Sequence, residues 1–194
     1  MNATAIVGIL TAVIAASAAL TGYVVNQMAA RRERRSKAYA EALRTIRQYQ
    51  EVPYRVVRRL DSSAATRTAL DRQHGEIISG IGFHLGWLEL ESPETAAAYR
   101  ALWERCRTFG RVYRKWAWQQ PLVSEDVQMA ITLPFRYDIK PELDVCIQAM
   151  RADIQFFGWS TRRTARRQST ALATRRAAET PPDFTDLETW TPPP

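Results

Sequence analysis

The chain has 194 residues and a formal net charge of +7, and 24 of its 27 basic residues are arginine. After an N-terminal segment of about 30 residues, this length leaves room for one compact domain and a tail. Neither Cys106 nor Cys146 has a second cysteine or a histidine at zinc-ligand spacing, which argues against a structural zinc site.

The first 30 residues contain no Asp, Glu, Lys or Arg. A helix rises about 1.5 Å per residue, so about 20 apolar residues cross a hydrocarbon core of about 30 Å. The segment from Thr4 to Met28 meets that length. A cleaved signal peptide would need a basic start and a shorter apolar core. The sequence therefore predicts a single-pass transmembrane anchor within residues 1–30.

A basic cluster follows the apolar segment directly. Its members, which we expect to contact anionic lipid, are Arg31, Arg32, Arg34, Arg35 and Lys37. Positively charged residues stay on the cytoplasmic side, so the N-terminus is expected outside and the rest of the chain in the cytoplasm, at an inner or plasma membrane. Each basic residue close to the surface adds about 1 kcal/mol of attraction to anionic lipid.

Residues 31–60 are predicted to continue the anchor as a basic juxtamembrane stalk helix. Apolar residues recur there at steps of three and four, which indicates one helical stripe: Tyr39, Ala42, Leu43, Ile46 and Tyr49. Pro53 disfavours helix at the residue before it, so a break or kink is expected there.

Residues 61–159 are predicted to form the remainder of a helical bundle of four or five helices. The first helix should run from about Ala64 to Leu90, with a break or very close packing near Gly80 because it contains four glycines. Ser92, Pro93 and Glu94 form a typical helix start. A short helix is expected over 124–133, and a last core helix from Lys140 towards Gly158.

From Ser160 to the end the apolar stripe is lost, arginines come in pairs and prolines close the chain. This composition predicts a disordered tail, basic and then acidic, over 160–194. The expected fold class is therefore all-α: a transmembrane helix, a cytoplasmic helical bundle and a disordered C-terminal tail.

No residue pattern predicts catalysis, a cofactor or a metal. His74 and His84 are ten residues apart on one helix, about 15 Å along its axis, and cannot share a metal directly. Gly80, Gly82 and Gly86 loosely resemble a dinucleotide-binding loop but lack the strand and helix start that this motif requires. Cys106 and Cys146 fall on apolar helix faces and are expected to be buried free thiols.

Two segments combine cations with aromatic residues and are candidate contacts for lipid or nucleic acid. In the first, Tyr113 and Trp116 are expected in the core, which leaves Arg111, Arg114, Lys115 and Trp118. The second comprises Trp159, Arg162, Arg163, Arg166 and Arg167. Aromatics beside paired arginines suit an anionic bilayer, and interleaved aromatics can also stack on bases.

The sequence thus favours a non-enzymatic, membrane-anchored interaction or scaffold module whose partner is an unknown cytoplasmic protein or its own copy. Small residues four apart in the anchor, Gly8, Ala12 and Ala16, allow helix pairing in lipid and hence a homo-oligomer. The alternative is a membrane-tethered nucleic-acid-binding protein that uses the arginine-rich segments, and its binding should weaken steeply with salt.

Overall fold

A computed structural model describes residues 3–122, 133–155, 159–180 and 182–189. Within these ranges the side chains of residues 3–13, 159–162, 165, 186 and 188 are not described. The fold is all-α and contains no strand in the described ranges, as the sequence predicted. The helices are α1 (Ala3–Val57), α2 (Ala64–Glu91), α3 (Pro93–Gln119), α4 (Lys140–Ile154), α5 (Trp159–Ala178) and the short α6 (Thr185–Thr189).

The chain divides into two units, Met1–Tyr39 and Ala40–Pro194. Among the residues that the structure describes, no helix is both long enough and apolar enough to cross a membrane. The transmembrane helix predicted from Thr4 to Met28 thus has no support there, and the side chains of its first part, residues 4–13, lie outside the description. The predicted domain boundaries after residues 30, 60 and 159 stay predictions.

The second part of α1 belongs to the bundle core. Ile46, Tyr49, Val52 and Val56 are each at most 6% exposed. The break expected near Pro53 does not occur, and α1 continues through it to Val57. A proline inside a helix removes one backbone hydrogen bond, and burial of the apolar side chains on either side of Pro53 offsets that loss.

The end of α1 is tied to the end of α3 by a buried arginine. Arg59 is 7% exposed and donates to the carbonyls of Val56 (2.9 Å), Ala117 (3.3 Å) and Gln120 (2.8 Å). Carbonyls at helix ends have no partner within their own helix. The guanidinium therefore satisfies two helix C-termini at once.

Helix α2 is continuous, and its N-terminus is capped by Ser63, whose hydroxyl accepts from the backbone N–H of Thr66 at 3.1 Å. The helix does not break near Gly80. Instead, α1 packs closely against α2 at this glycine, which is the other outcome that the sequence predicts. A methyl group placed there would lie 3.3 Å from Cγ2 of Thr45 in α1. Helical spacing predicts a buried stripe on α2, and four of its six members are buried: His74, Ile77, Ile81 and Leu88. The other two, Leu70 and Leu85, are half-buried.

Helix α3 is the centre of the bundle and packs against α2, α4 and α5. Helical spacing predicts an apolar stripe on this helix, and every member of it is buried: Ala98, Leu102, Cys106, Phe109, Tyr113 and Trp116. For α4 the same spacing predicts Leu143, Ile147, Met150, Ile154 and Phe157. Met150 is buried, but Leu143, Ile147 and Ile154 are only half-buried, Phe157 lies outside the described residues, and Cys146 and Ala149 are buried instead. Since α4 is covered by both α3 and α5, its buried surface is wider than one stripe. The short helix expected over 124–133 lies almost wholly outside the described residues.

The predicted disordered tail is wrong for the described part of the segment. Helix α5 packs along α4 and also contacts α3. Beyond it, Phe184 stacks edge-on against Phe109 at 5.7 Å between ring centroids, and Leu187 is 3% exposed. Arg176 of this segment pairs with Asp138 and Glu142 of the bundle, a source of stability that apolar periodicity does not indicate.

Candidate interaction surfaces

The basic cluster after the apolar segment is solvent-exposed. Arg31, Arg32, Arg34 and Lys37 are exposed and Arg35 is half-buried. Lys37 forms an ion pair with Glu33 at 2.6 Å, one helical turn away, and its hydrogen bond lowers the pKa of that carboxyl. Contact of this cluster with anionic lipid stays a prediction.

The cation–aromatic strip on α3 divides between core and surface. Tyr113 and Trp116 are buried, as expected. Arg111 and Lys115 are exposed, and Arg114 and Trp118 are half-buried. The ring of Trp118 is covered by the guanidinium of Arg59, 5.3 Å from its centroid. This cation–π contact engages the aromatic side chain that the sequence predicts, in this strip, as a contact for lipid or nucleic acid.

The second candidate segment lies at the start of α5. Arg163, Arg166 and Arg167 are exposed, whereas the side chains of Trp159 and Arg162 lie outside the description. Arg166 lines a cavity of about 350 Å³ together with Glu94 and Ala97 of α3. The two predicted sets thus lie on different helices, one on the second half of α3 and one on the first half of α5.

A groove between α3 and α5 is a feature that the sequence analysis did not predict. A second cavity, of about 420 Å³, shares Ala97, Ala98 and Ser169 with the first, so the two form one groove, which we call the α3–α5 groove. Its wall on α3 includes Ala97, Ala98 and Ala101, and these small side chains leave the space open. The sequence feature that could have indicated this groove is the run Ala96-Ala97-Ala98 followed by Ala101.

An ion-pair network closes one end of the α3–α5 groove. Arg176 of α5 binds the Glu142 carboxylate with two hydrogen bonds, from Nε at 2.6 Å and from Nη2 at 3.2 Å. It also reaches Oδ2 of Asp138 at 3.2 Å and pairs with Glu179. Arg105 of α3 binds the same Asp138 oxygen at 2.9 Å. Helices α3, α4 and α5 are thereby joined through two arginines.

Glu142 is the most buried member of this network, at 3% exposure. A carboxylate at such a position requires a paired cation, because an isolated buried charge is very unfavourable. Its hydrogen bonds raise the pKa of Arg176. The pKa of Asp138 is lowered, first by the hydrogen bond from Arg105 and then by Arg176, and Arg176 lowers that of Glu179.

The docking of α5 should depend on pH. The pKa values of Asp138 and Glu179 are lower in the folded chain than in the unfolded one. The stability they contribute is therefore complete above the ordinary carboxyl pKa, about 4, and is lost as the pH falls through the lowered values. We expect hydrogen exchange of α5 amides, corrected for the intrinsic rate, to stay constant from pH 6 to about pH 4.5 and to accelerate as the pH falls further towards about pH 2. If α2 amides lost as much protection as α5 amides over the same fall in pH, the expectation would be contradicted.

Both cysteines and His74 are buried, and His84 is half-buried. Cys106 and Cys146 are free thiols, as predicted, and burial raises the pKa of each to about 12, which makes them poor nucleophiles. Burial also lowers the pKa of His74 and of His84, which favours the neutral form of both imidazoles. Within the described ranges, no three His, Cys, Asp or Glu side chains are grouped to hold a metal ion.

Comparison of the chain with protein-family models, with curated proteins and with solved structures finds no match. The functional inference therefore depends on the chemistry of its own residues. The features available for it are the exposed apolar part of α1, the basic cluster that follows, and the α3–α5 groove with its ion-pair network.

Proposed function

We propose that this chain is a non-enzymatic interaction module, attached to a membrane by the start of α1, with its bundle on the cytoplasmic side. One observation carries the proposal. Within a single helix the apolar side chains Ile14, Leu20 and Tyr23 are 63 to 66% exposed, whereas Ile46 and Val56 are 2% and 1% exposed. Exposed apolar surface costs about 25 cal/mol per Å² in water, so the first stretch requires a cover.

Lipid is the cover that the local chemistry favours. Residues 1–30 contain no charged side chain. The hydroxyl of Thr21 donates to the carbonyl of Ser17 at 2.8 Å, which satisfies this polar group inside the helix. Tyr23 and Gln27 are hydrogen-bonded to each other near the point where the basic cluster begins, a typical position for an interfacial aromatic.

The bundle supplies the interaction surface in this proposal. The α3–α5 groove has apolar walls, and charged residues lie at its two ends, Glu94 with Arg166 and Glu142 with Arg176. Glu142 and Arg176 neutralise each other, an arrangement that suits binding better than acid–base chemistry. A cytoplasmic protein is the partner class that we propose for this surface.

Membrane fractionation tests the proposal. The full chain should remain in the pellet after alkaline carbonate extraction. A variant lacking residues 2–28 should move to the supernatant, because the apolar segment that lipid would cover has been removed.

Protease protection tests the orientation. In intact cells, protease added outside should leave the bundle uncut. A matched variant has all five residues of the basic cluster replaced by glutamine. It should remain in the pellet, but a fraction of its molecules should insert in the opposite orientation, so that external protease cuts their bundle. Release of the full chain by carbonate would contradict membrane attachment.

Nucleic-acid binding is the second candidate function, and the observation that favours it is the exposure of Arg163, Arg166 and Arg167 along one stretch of α5. Phosphate contacts produce binding that falls steeply with salt. A labelled DNA or RNA retarded by the chain at about 50 mM salt, and released by replacing these three arginines with glutamine, would favour this function over a protein partner.

A further inference from the structure

The face of α2 that points away from the core carries an unusual row of small residues. One residue turns the helix by about 100°, so Gly75, Ser79, Gly82 and Gly86 form a row, here called the α2 seam, opposite the buried residues of the same helix. A methyl group added at Gly75, Gly82 or Gly86 would meet no described atom within 4 Å. Nothing described in the chain therefore explains these three glycines.

Such glycines are costly unless another backbone approaches them. Each one lowers helix stability by about 1 kcal/mol relative to alanine. Gly80, on the inner side of α2, shows the expected compensation, because Thr45 packs 3.3 Å from where its Cβ would be. The α2 seam lacks this compensation within one copy of the chain, in the part that the structure describes.

The apolar residues beside the α2 seam are also uncovered. Ile78 is 41% exposed, Phe83 is 70% exposed and Leu90 is 88% exposed. Ile78 lies on one flank of the seam, and Phe83 and Leu90 lie on the other. A flat row of small residues with apolar flanks is the surface that two helices use for close contact.

The order of residues along the α2 seam makes it complementary to itself when reversed. If two copies of α2 run antiparallel about a two-fold axis midway between Gly80 and Ile81, Gly75 lies level with Gly86 of the second copy and Ser79 with Gly82. The same axis places Arg72 level with Glu89 of the second copy. Both side chains are exposed, so two opposite-charge pairs form at the ends of the contact.

We infer that the α2 seam is the dimerisation surface of this chain, and that it packs antiparallel against the α2 seam of a second copy. The contact is isologous, the commonest form in homodimers. The charge pairs fix the antiparallel direction, because a parallel arrangement would place Arg72 beside Arg72 and Glu89 beside Glu89. This inference does not depend on membrane attachment, since the seam lies wholly in the second unit of the chain.

The test uses the full chain in detergent micelles, with its mass measured over a concentration series. The unmodified chain should be a dimer. Gly82→Leu should raise the dissociation constant at least about tenfold, because a bulky side chain prevents close approach. Glu76→Leu, an equally bulky change on the same helix but off the seam, should leave the dimer intact. Helix content by circular dichroism should be unchanged or increased in both variants.

Charge reversal is an independent test, because its result does not depend on whether α2 can accommodate a leucine at residue 82. Arg72→Glu and Glu89→Arg should each weaken the dimer, and the double variant should restore it, because the pair is re-formed across the two-fold axis. Glu89 also pairs with Arg100 of its own chain, so Arg100→Ala serves as the control and should leave the dimer intact. A monomeric unmodified chain, or a dimer that survives both Gly82→Leu and Arg72→Glu, would overturn the inference.

Discussion

Replacing Arg176 by alanine is expected to lower the free energy of opening of α5 by about 3 kcal/mol, because it leaves the Glu142 carboxylate buried without its cation. The carboxylate is 3% exposed and receives two hydrogen bonds from this one guanidinium. Hydrogen exchange of α5 amides in the full chain measures the effect. An opening free energy lower by about 3 kcal/mol corresponds to exchange more than 100-fold faster.

The neighbouring arginine is a matched control for this prediction. Arg175 lies on the same helix, is 74% exposed and pairs only with Glu179 among the ion pairs described for it. Exposed ion pairs contribute at most about 1 kcal/mol. Arg175→Ala should therefore change α5 exchange little. Similar acceleration in the two variants would mean that helix propensity or net charge, and not the buried pair, holds α5 on the bundle.

Among the glycines whose surroundings the structure describes, Gly110 is the one at which substitution by alanine is expected to destabilise the fold most. The added methyl group would lie 2.5 Å from Cε1 and 2.8 Å from Cζ of Tyr49. That ring is 4% exposed and is held against Trp103 at 4.7 Å between centroids, so it has little room to move. Overpacking of this kind costs about 2 kcal/mol, which should lower the melting temperature by roughly 4 to 8 °C.

The cause of that loss can be isolated by changing the tyrosine. In a Tyr49→Leu background the clashing ring atoms are gone, and Gly110→Ala should become stabilising by up to about 1 kcal/mol because alanine favours helix. Gly110→Ala should therefore lower the free energy of unfolding when Tyr49 is present and raise it when Tyr49 is replaced by leucine. If alanine destabilises both to the same extent, the clash with Tyr49 is not the reason for glycine at this position.

The sequence predicted those helices whose buried surface is a single stripe. Helix α3 is the clearest case, because polar residues cover its outer face and apolar residues recur at helical spacing on the other. Helix α4 was predicted less well, since it is enclosed on two sides and buries Glu142, a residue that reads as exposed until its partner is known. That partner, Arg176, is 34 residues away in sequence.

The same limitation explains the outcome for the tail and for the candidate surfaces. Residues 159–178 are rich in arginine and poor in apolar residues, which indicates disorder when only local composition is considered. Their stability comes from carboxylates at Asp138 and Glu142, and no local pattern links these to α5. Trp118 is a predicted contact for lipid or nucleic acid, and Arg59, far from it in sequence, lies over its ring; that contact stays a prediction. The basic cluster is exposed except for the half-buried Arg35, and its role at a membrane also stays a prediction.

The hydrogen bonds of Arg59 have a consequence for how the chain folds during synthesis. They join residues 58 and 61 positions apart in sequence, and Arg59 has to wait for both carbonyl partners. The C-terminal end of α1 therefore cannot reach its final state until residue 120 has left the ribosome. Until then this end of α1 lacks the hydrogen bonds that join it to α3, while residues 1–30 have already been synthesised. In the proposed membrane-attached form, this order favours placing the N-terminus in the membrane before the bundle closes.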